Sequence, residues 1–260
     1  MTEAARTDRE RPEKVRRPRV MPDVVRTLAT DILGGRYAPG TLLPRENDLC
    51  AELGVSRTVI REALKVLAAK GLVLGRPKVG TMVCEPEAWN VIDPQLIEWH
   101  SPETMDHKLL DSILETRRAI EPLVAEFAAL RATMQEIADV ETAWRGMADC
   151  VGDVDGFTRH DIDYHRIIYA ASHNPIFRQI GNLIDPALRF ALQASAENSV
   201  DERSASIDAH YALVEALRLR DPAAARRATE QILGIATRDL STAKELQSPS
   251  QPTPSQPSTP

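Results

Sequence analysis

The apolar positions of residues 43–72 (LPRENDLCAELGVSRTVIREALKVLAAKGL) fall into two short helical patterns joined by a turn. In the first, Leu49 and Leu53 recur one turn apart before Gly54 breaks the run. In the second, Ile60, Ala63, Leu64 and Leu67 recur at helical spacing and predict a core face. Ser56 stands where an N-cap satisfies the free N–H groups of that second helix, and Gly71 suits the left-handed residue that ends it. Upstream, Val25, Leu28 and Ile32 mark a further amphipathic helix, stopped by Gly34-Gly35 and followed by the turn Ala38-Pro39-Gly40. Downstream, Leu72-Val73-Leu74 and Thr81-Met82-Val83 read as short strands around GRPKVG. Three helices and a basic hairpin predict a winged helix-turn-helix over residues 20–84. An ordinary amphipathic surface helix explains the helix pair but not this order of parts.

The polar face of the second helix carries Arg57, Thr58 and Arg61 near its start. A helix entering the major groove points its N-terminal residues at base edges, where arginine can bridge guanine O6 and N7. Double-stranded DNA is the partner this face predicts.

Residues 85–102 read as a connector that bears Trp89 and Trp99, two of the chain's three tryptophans, with a short helix after Pro94. Large aromatics in a linker predict packing rather than free motion. Beyond Pro102 no strand-like alternation appears, and residues 103–243 predict an all-helical bundle. Its first helix is expected to be interrupted or bent near Pro122. The others are expected at about 134–148, 157–171, 175–194, 204–219 and 222–243. Residues 1–19 form a basic arm and 244–260 a Pro/Ser-rich tail, both with little to bury and both expected to be disordered. The fold class is mainly α: a winged helix-turn-helix followed by a helical bundle.

Charge sharpens this division. Residues 1–19 hold seven Lys/Arg against four Asp/Glu, and residues 20–84 hold nine against six, while the remainder holds sixteen against twenty-eight. A basic N-terminal third on a chain of net charge −6 suits a nucleic-acid module joined to a separate sensing module. Cys50, Cys84 and Cys150 show no metal-binding spacing, and no run of about 18 apolar residues exists. A cytoplasmic protein with no membrane partner is expected.

Within the bundle, Asp161 and His165 lie one helical turn apart, a spacing that lets carboxylate and imidazole reach one cation, and His210 lies on a later helix. The same spacing also suits a solvated pair. Arg117 fits an effector carboxylate as a planar two-pronged donor, with Arg189 as a second candidate; a structural ion pair with Glu121 is the competing reading for Arg117. A metal-dependent hydrolase would use the same three polar residues, but no strong nucleophile motif, phosphate loop or nucleotide fingerprint accompanies them. A purely architectural DNA-binding protein would need no polar cluster inside an acidic helical domain.

The segment GRYAPGTLLPRENDLCAELGVSRTVIREALKVLAAKGLV with the wing RPKVGTMV resembles the GntR family of bacterial transcription regulators, over residues from about 24 to 84. The resemblance implies Arg57, Thr58 and Arg61 as recognition-helix contacts, with Ser56 and Thr41 beside them. It also implies a wing tip, including Lys78 and Gly80, that enters the minor groove. Where the family usually has Ser-Glu-Arg this chain has Arg45-Glu46-Asn47, so Arg45 is expected to substitute from the neighbouring position. Lys78 stands where many members have glycine.

The segments ETRRAIEP, FTRHDIDYHRIIYAASHNP and AHYALVEALRLRDPAAARRA resemble the FCD ligand-binding domain of the FadR subgroup. In that domain an Asp, the His of its motif and two later histidines hold a divalent metal. Asp161, His165 and His210 match three of the four positions, and the fourth is Ile232. A metal such as zinc is therefore expected to be held weakly, or only together with the effector. The connector WN(x)₂DP(x)₄W and SHNP resemble the sugar-acid branch of the subgroup, including galactonate-responsive repressors. The resemblance thus implies a homodimeric repressor of a sugar-acid catabolic operon, bound to a palindromic operator and released by a small carboxylate, an aldonate or hexuronate.

Overall fold

The structure is a computed structural model that describes residues 21–100, 107–182 and 200–247. The arm 1–19, the tail from residue 248 and Arg189 lie outside the described residues. Contacts divide the chain into two compact units, Met1–Asn90 and Val91–Pro260.

The first unit contains α1 (Met21–Leu33), α2 (Glu46–Leu53), α3 (Arg57–Ala69) and the antiparallel pair β1 (Val73–Arg76) and β2 (Gly80–Val83), in register Val73↔Val83 to Arg76↔Gly80. Its core comprises Val24, Val25, Leu28 and Ile32 from α1, Leu49 from α2, Ile60, Ala63 and Leu67 from α3, and Leu72, Val73 and Val83 from the hairpin. Leu53 and Leu64, both expected on the core face, are only half-buried. Residues 40–43 line the free edge of β2: Leu43 N–H donates to Thr81 O at 2.8 Å and Val83 N–H to Thr41 O at 2.9 Å. This third rung links residues some 40 positions apart in the chain, and no local pattern announces it.

Two left-handed glycines set the helix ends. Gly54 (φ 66°) closes α2 by donating its N–H to Cys50 O. After α3, Gly71 (φ 76°) donates to Ala68 O and Leu72 to Leu67 O, the paired bonds of a Schellman ending. A one-turn 3-10 helix, Pro86–Ala88, then passes so close that a Cβ on Gly71 would stand 2.1 Å from Ala88 O. Trp89 is fixed there by its Nε1–H on Cys84 O at 3.1 Å, and Asn90 N–H bonds Lys70 O at 2.9 Å. The start of the expected connector is therefore hydrogen-bonded to the end of α3.

The regular elements of the second unit among the described residues are all helices: α4 (Pro94–Glu98), α5 (His107–Arg131), α6 (Met134–Asp149), α7 (Val154–Ala171), a helical stretch at 175–182, α8 (Val200–Arg218) and α9 (Pro222–Gln247). Helix α5 was expected to be interrupted or bent near Pro122, and it is not interrupted there. The helix continues through it, because one missing N–H costs a single rung while Val124, Ala125, Ala128 and Ala129 beyond it are fully buried. Helix α9 also runs four residues into the segment expected to be a disordered tail. Helix α5 packs on α7, α8 and α9, and α6 on α7 and α8, around a core that includes Val140, Met147, Phe157, Tyr164, Leu213, Leu217 and Ile232. No described helix is long and apolar enough to cross a membrane.

Candidate functional site

The residues expected to read DNA begin at the N-terminus of α3. Ser56 Oγ accepts from Val59 N–H at 3.4 Å, the capping bond its position called for. Apolar Ile60, Ala63 and Leu67 anchor the inner face, so Ser56, Arg57, Thr58 and Arg61 all emerge exposed on the outer one. Arg61 does not stand alone: its Nε donates to both carboxylate oxygens of Glu46 at 3.1 and 2.9 Å. That bond reaches back to the first turn of α2 and leaves both Nη groups for another acceptor. Arg45 is the N-cap residue of α2 and makes no capping bond. It is exposed, and like Arg57 it meets no carboxylate among the described residues. In the wing, Lys78 adopts φ 65°, the left-handed conformation a glycine takes without strain, and Gly80 sits at φ 134°. Both are exposed at the hairpin tip.

The second cluster is buried within the helical unit. Asp161 and His165 project from one face of α7, and His210 reaches them from α8; all three are buried, and one ligand atom from each lies within 4.8 Å of the others. His165 Nε2 is 3.8 Å and His210 Nε2 3.2 Å from Asp161 Oδ1. Tetrahedral ligands around zinc stand about 3.4 Å apart, so the spacing fits a shared cation.

His210 supplies the sharper argument. Its Nδ1 lies 2.7 Å from Ser206 O and must carry the N–H, which in a neutral ring leaves Nε2 as a lone pair. That lone pair faces the Asp161 carboxylate without alignment for a hydrogen bond, and it is an orphaned buried atom. Burial pushes the Asp161 carboxyl up, but His210, His165 and Arg117 outweigh it and hold the group below its ordinary range, hence ionised. With a neutral His210 ring two acceptors would stand 3.2 Å apart, so the pair calls for a cation between them or a proton on Nε2. The Tyr164 hydroxyl donates to His210 O at 2.8 Å and fixes that stretch of α8 against α7.

Arg117 is paired with Glu121: Nε donates to Oε1 at 2.7 Å and Nη2 reaches Oε2 at 3.4 Å, both residues being buried. Burial lowers the Arg117 pKa, yet Glu121 overcomes it and the guanidinium stays charged. Glu121 Oε2 also stands 3.7 Å from His165 Nδ1, on the side of the ring away from Asp161. Burial holds His165 below the ordinary imidazole range, favouring the neutral ring that can ligate a cation. Ile232, at the fourth ligand position, is buried in the apolar core and offers no donor atom.

Three contributors had no motif to betray them. Glu121 was visible only as a partner of Arg117, the Ser206 contribution is a backbone carbonyl, and Thr158 is a plain threonine. Its Oγ1 is buried without a partner among the described residues. A helical spacing of three and then four residues places Thr158, Asp161 and His165 on one stripe of α7.

Both clusters lie in stretches of the chain that match known protein families. Residues 22–83 match the model for "Bacterial regulatory proteins, gntR family", and residues 112–234 match that of the FCD domain. The galactonate operon transcriptional repressor of Escherichia coli K12 is 32% identical over 217 residues, covering 84% of this chain and 95% of its own. The HTH-type transcriptional repressor NanR of Citrobacter rodentium is 30% identical over 196 residues, 75% of each chain. Among solved structures, that of Lar from Listeria monocytogenes superposes with a TM-score of 0.63 at 18% identity, covering 88% of this chain and 99% of the other. That likeness supports the fold.

Proposed function

The chain belongs to the gntR family of bacterial regulatory proteins and carries an FCD domain, and from that premise we propose that it is a repressor of a sugar-acid operon whose helical unit binds the releasing acid. The family consists of DNA-binding transcription regulators, and relatives that span most of this chain are repressors by name, one of them of the galactonate operon. Arg57, Thr58 and Arg61 read base edges in the major groove, Ser56 and Arg45 hold phosphates, and Lys78 and Gly80 bring the wing to the minor groove. Two copies occupy two half-sites, because one winged helix reads few base pairs.

The observation that carries the effector reading is the buried Nε2 of His210, without a hydrogen-bond partner and 3.2 Å from the ionised Asp161. Asp161, His165 and His210 would hold a divalent cation such as zinc, which when bound supplies a Lewis-acid site for an acid's carboxylate. Without a fourth protein ligand at Ile232, a coordination position is left to water or effector, and affinity for the ion should be weak alone. The guanidinium donors of Arg117 not spent on Glu121 offer the carboxylate a second partner. Arg189 has the charge for the same task.

A thermal-shift screen of sugar acids with and without added zinc tests this reading. A rise in midpoint with galactonate or a related aldonate that grows when zinc is present is expected. If no sugar acid moves the midpoint under either condition, the effector class is wrong; if zinc adds nothing, the three polar residues bind the acid directly.

A further inference from the structure

Threonines inside helices ordinarily return their hydroxyl to the carbonyl four residues back, and five others in this chain do so: Thr27 to Asp23, Thr116 to Ser112, Thr142 to Ala138, Thr229 to Ala225 and Thr237 to Leu233. Thr158 does not. Its side chain is 3% exposed and its Oγ1 is buried with neither that carbonyl nor any other described group as partner. An unpaired buried hydroxyl is costly, and valine would fill the same volume without the cost. Its position is the second half of the argument, because Thr158 shares the α7 stripe of Asp161 and His165, one turn before Asp161. His210 Nε2, which reaches that stripe from α8, is likewise buried without a hydrogen-bond partner.

We infer that Thr158 is an effector-contacting residue that sets specificity: its Oγ1 hydrogen-bonds one hydroxyl of a polyhydroxylated acid held beside Asp161, His165 and His210. A hydroxyl both donates and accepts, as does a sugar hydroxyl, so the pair can be satisfied in either direction. A site built around such a bond discriminates against an acid lacking that hydroxyl, since Oγ1 would again be buried unpaired. The inference rests on the sugar-acid reading above.

The test is Thr158→Val in the full-length protein, read in two ways. First, without added acid the thermal midpoint should hold or rise, because the substitution removes an unsatisfied polar atom at nearly constant volume; a fall would show that the hydroxyl has a structural partner and overturn the inference. Second, by calorimetry with galactonate and its mono-deoxy analogues as probes, the variant should bind galactonate about 3- to 10-fold more weakly, the equivalent of one hydrogen bond. One deoxy analogue should bind wild type and variant equally. Undiminished galactonate affinity in Thr158→Val, with wild type binding, overturns the inference alone. If wild type binds none of these acids, the sugar-acid reading fails and the inference with it.

Discussion

Replacing Gly71 by alanine isolates one close approach in the DNA-binding unit and allows its cost to be worked out in advance. A Cβ in the left-handed conformation costs about 1–2 kcal/mol by itself. At Gly71 it would also stand 2.1 Å from the Ala88 carbonyl oxygen and 3.0 Å from that carbonyl carbon, both backbone atoms that cannot rotate aside. The 3-10 turn must retreat by roughly an ångström, the difference between that gap and a normal contact. The retreat threatens the bonds Asn90 N–H to Lys70 O and Ala88 N–H to Glu85 O, each 2.9 Å and each worth about 1 kcal/mol. The total is about 3–4 kcal/mol. Gly54→Ala is the matched control: the same left-handed helix end at φ 66°, with nothing within 4 Å of an added Cβ, so only about 1–2 kcal/mol is expected. Hydrogen-exchange mass spectrometry on peptides spanning Ile60–Leu67 reads the opening free energy of α3. Gly71→Ala should lose protection by some two to three powers of ten and Gly54→Ala by about one. Equal losses would refute the reasoning, because the contact with Ala88 would then carry no energy.

Other outcomes follow from the same geometry. Arg57→Ala and Arg61→Ala should each weaken operator binding by about 1–3 kcal/mol with the helical content unchanged; equal operator affinity in wild type and both variants would remove α3 from the groove. Lys78→Gly should relieve the φ 65° strain and stabilise the hairpin by about 1 kcal/mol, while reducing the slope of log affinity against log salt by about 1; an unchanged slope would take the wing tip off the phosphates. Burial places the His165 pKa below its unfolded value of 6.5, so the unfolded chain takes up the proton first. The stability from the neutral ring is then complete above that value and is lost as pH falls from 6.5 through the folded pKa. In chelator, the wild-type thermal midpoint should fall more steeply between pH 7 and 5 than that of His165→Gln, and parallel profiles would contradict the burial argument.

The winged helix was legible because its signals are local: Ser56 at a helix start, Gly54 and Gly71 at helix ends, and apolar spacing that the core of α3 follows at Ile60, Ala63 and Leu67. Leu64 and Leu53 showed the limit of periodicity, which finds a face but not how far a small domain covers it. At Pro122 the local penalty alone allows a break that the helix does not show, because the turn that follows is buried. In the site, Asp161, His165 and His210 were readable from one-turn spacing and resemblance, and their approach in space matches that grouping. The pairing of Glu121 with Arg117 was readable from its spacing too, whereas the Ser206 carbonyl and the buried Thr158 hydroxyl were not, since each depends on what a neighbouring helix places beside it. The Arg61–Glu46 bond, fifteen residues apart, joins two helices whose angle no sequence pattern specifies.

The central claim is that an acid bound beside Asp161, His165 and His210 releases the protein from DNA. Fluorescence anisotropy of the wild-type protein on a labelled operator fragment, titrated with galactonate and other aldonates in the presence of zinc, measures it directly, alongside Arg117→Ala and His165→Ala. Each tenfold preference of the acid for the DNA-free form appears as about 1.4 kcal/mol of lost operator affinity. The account predicts that one aldonate dissociates the wild-type complex and fails, or needs far higher concentration, with both variants. An acid that releases wild type and both variants at the same concentration would place the effector elsewhere and contradict it.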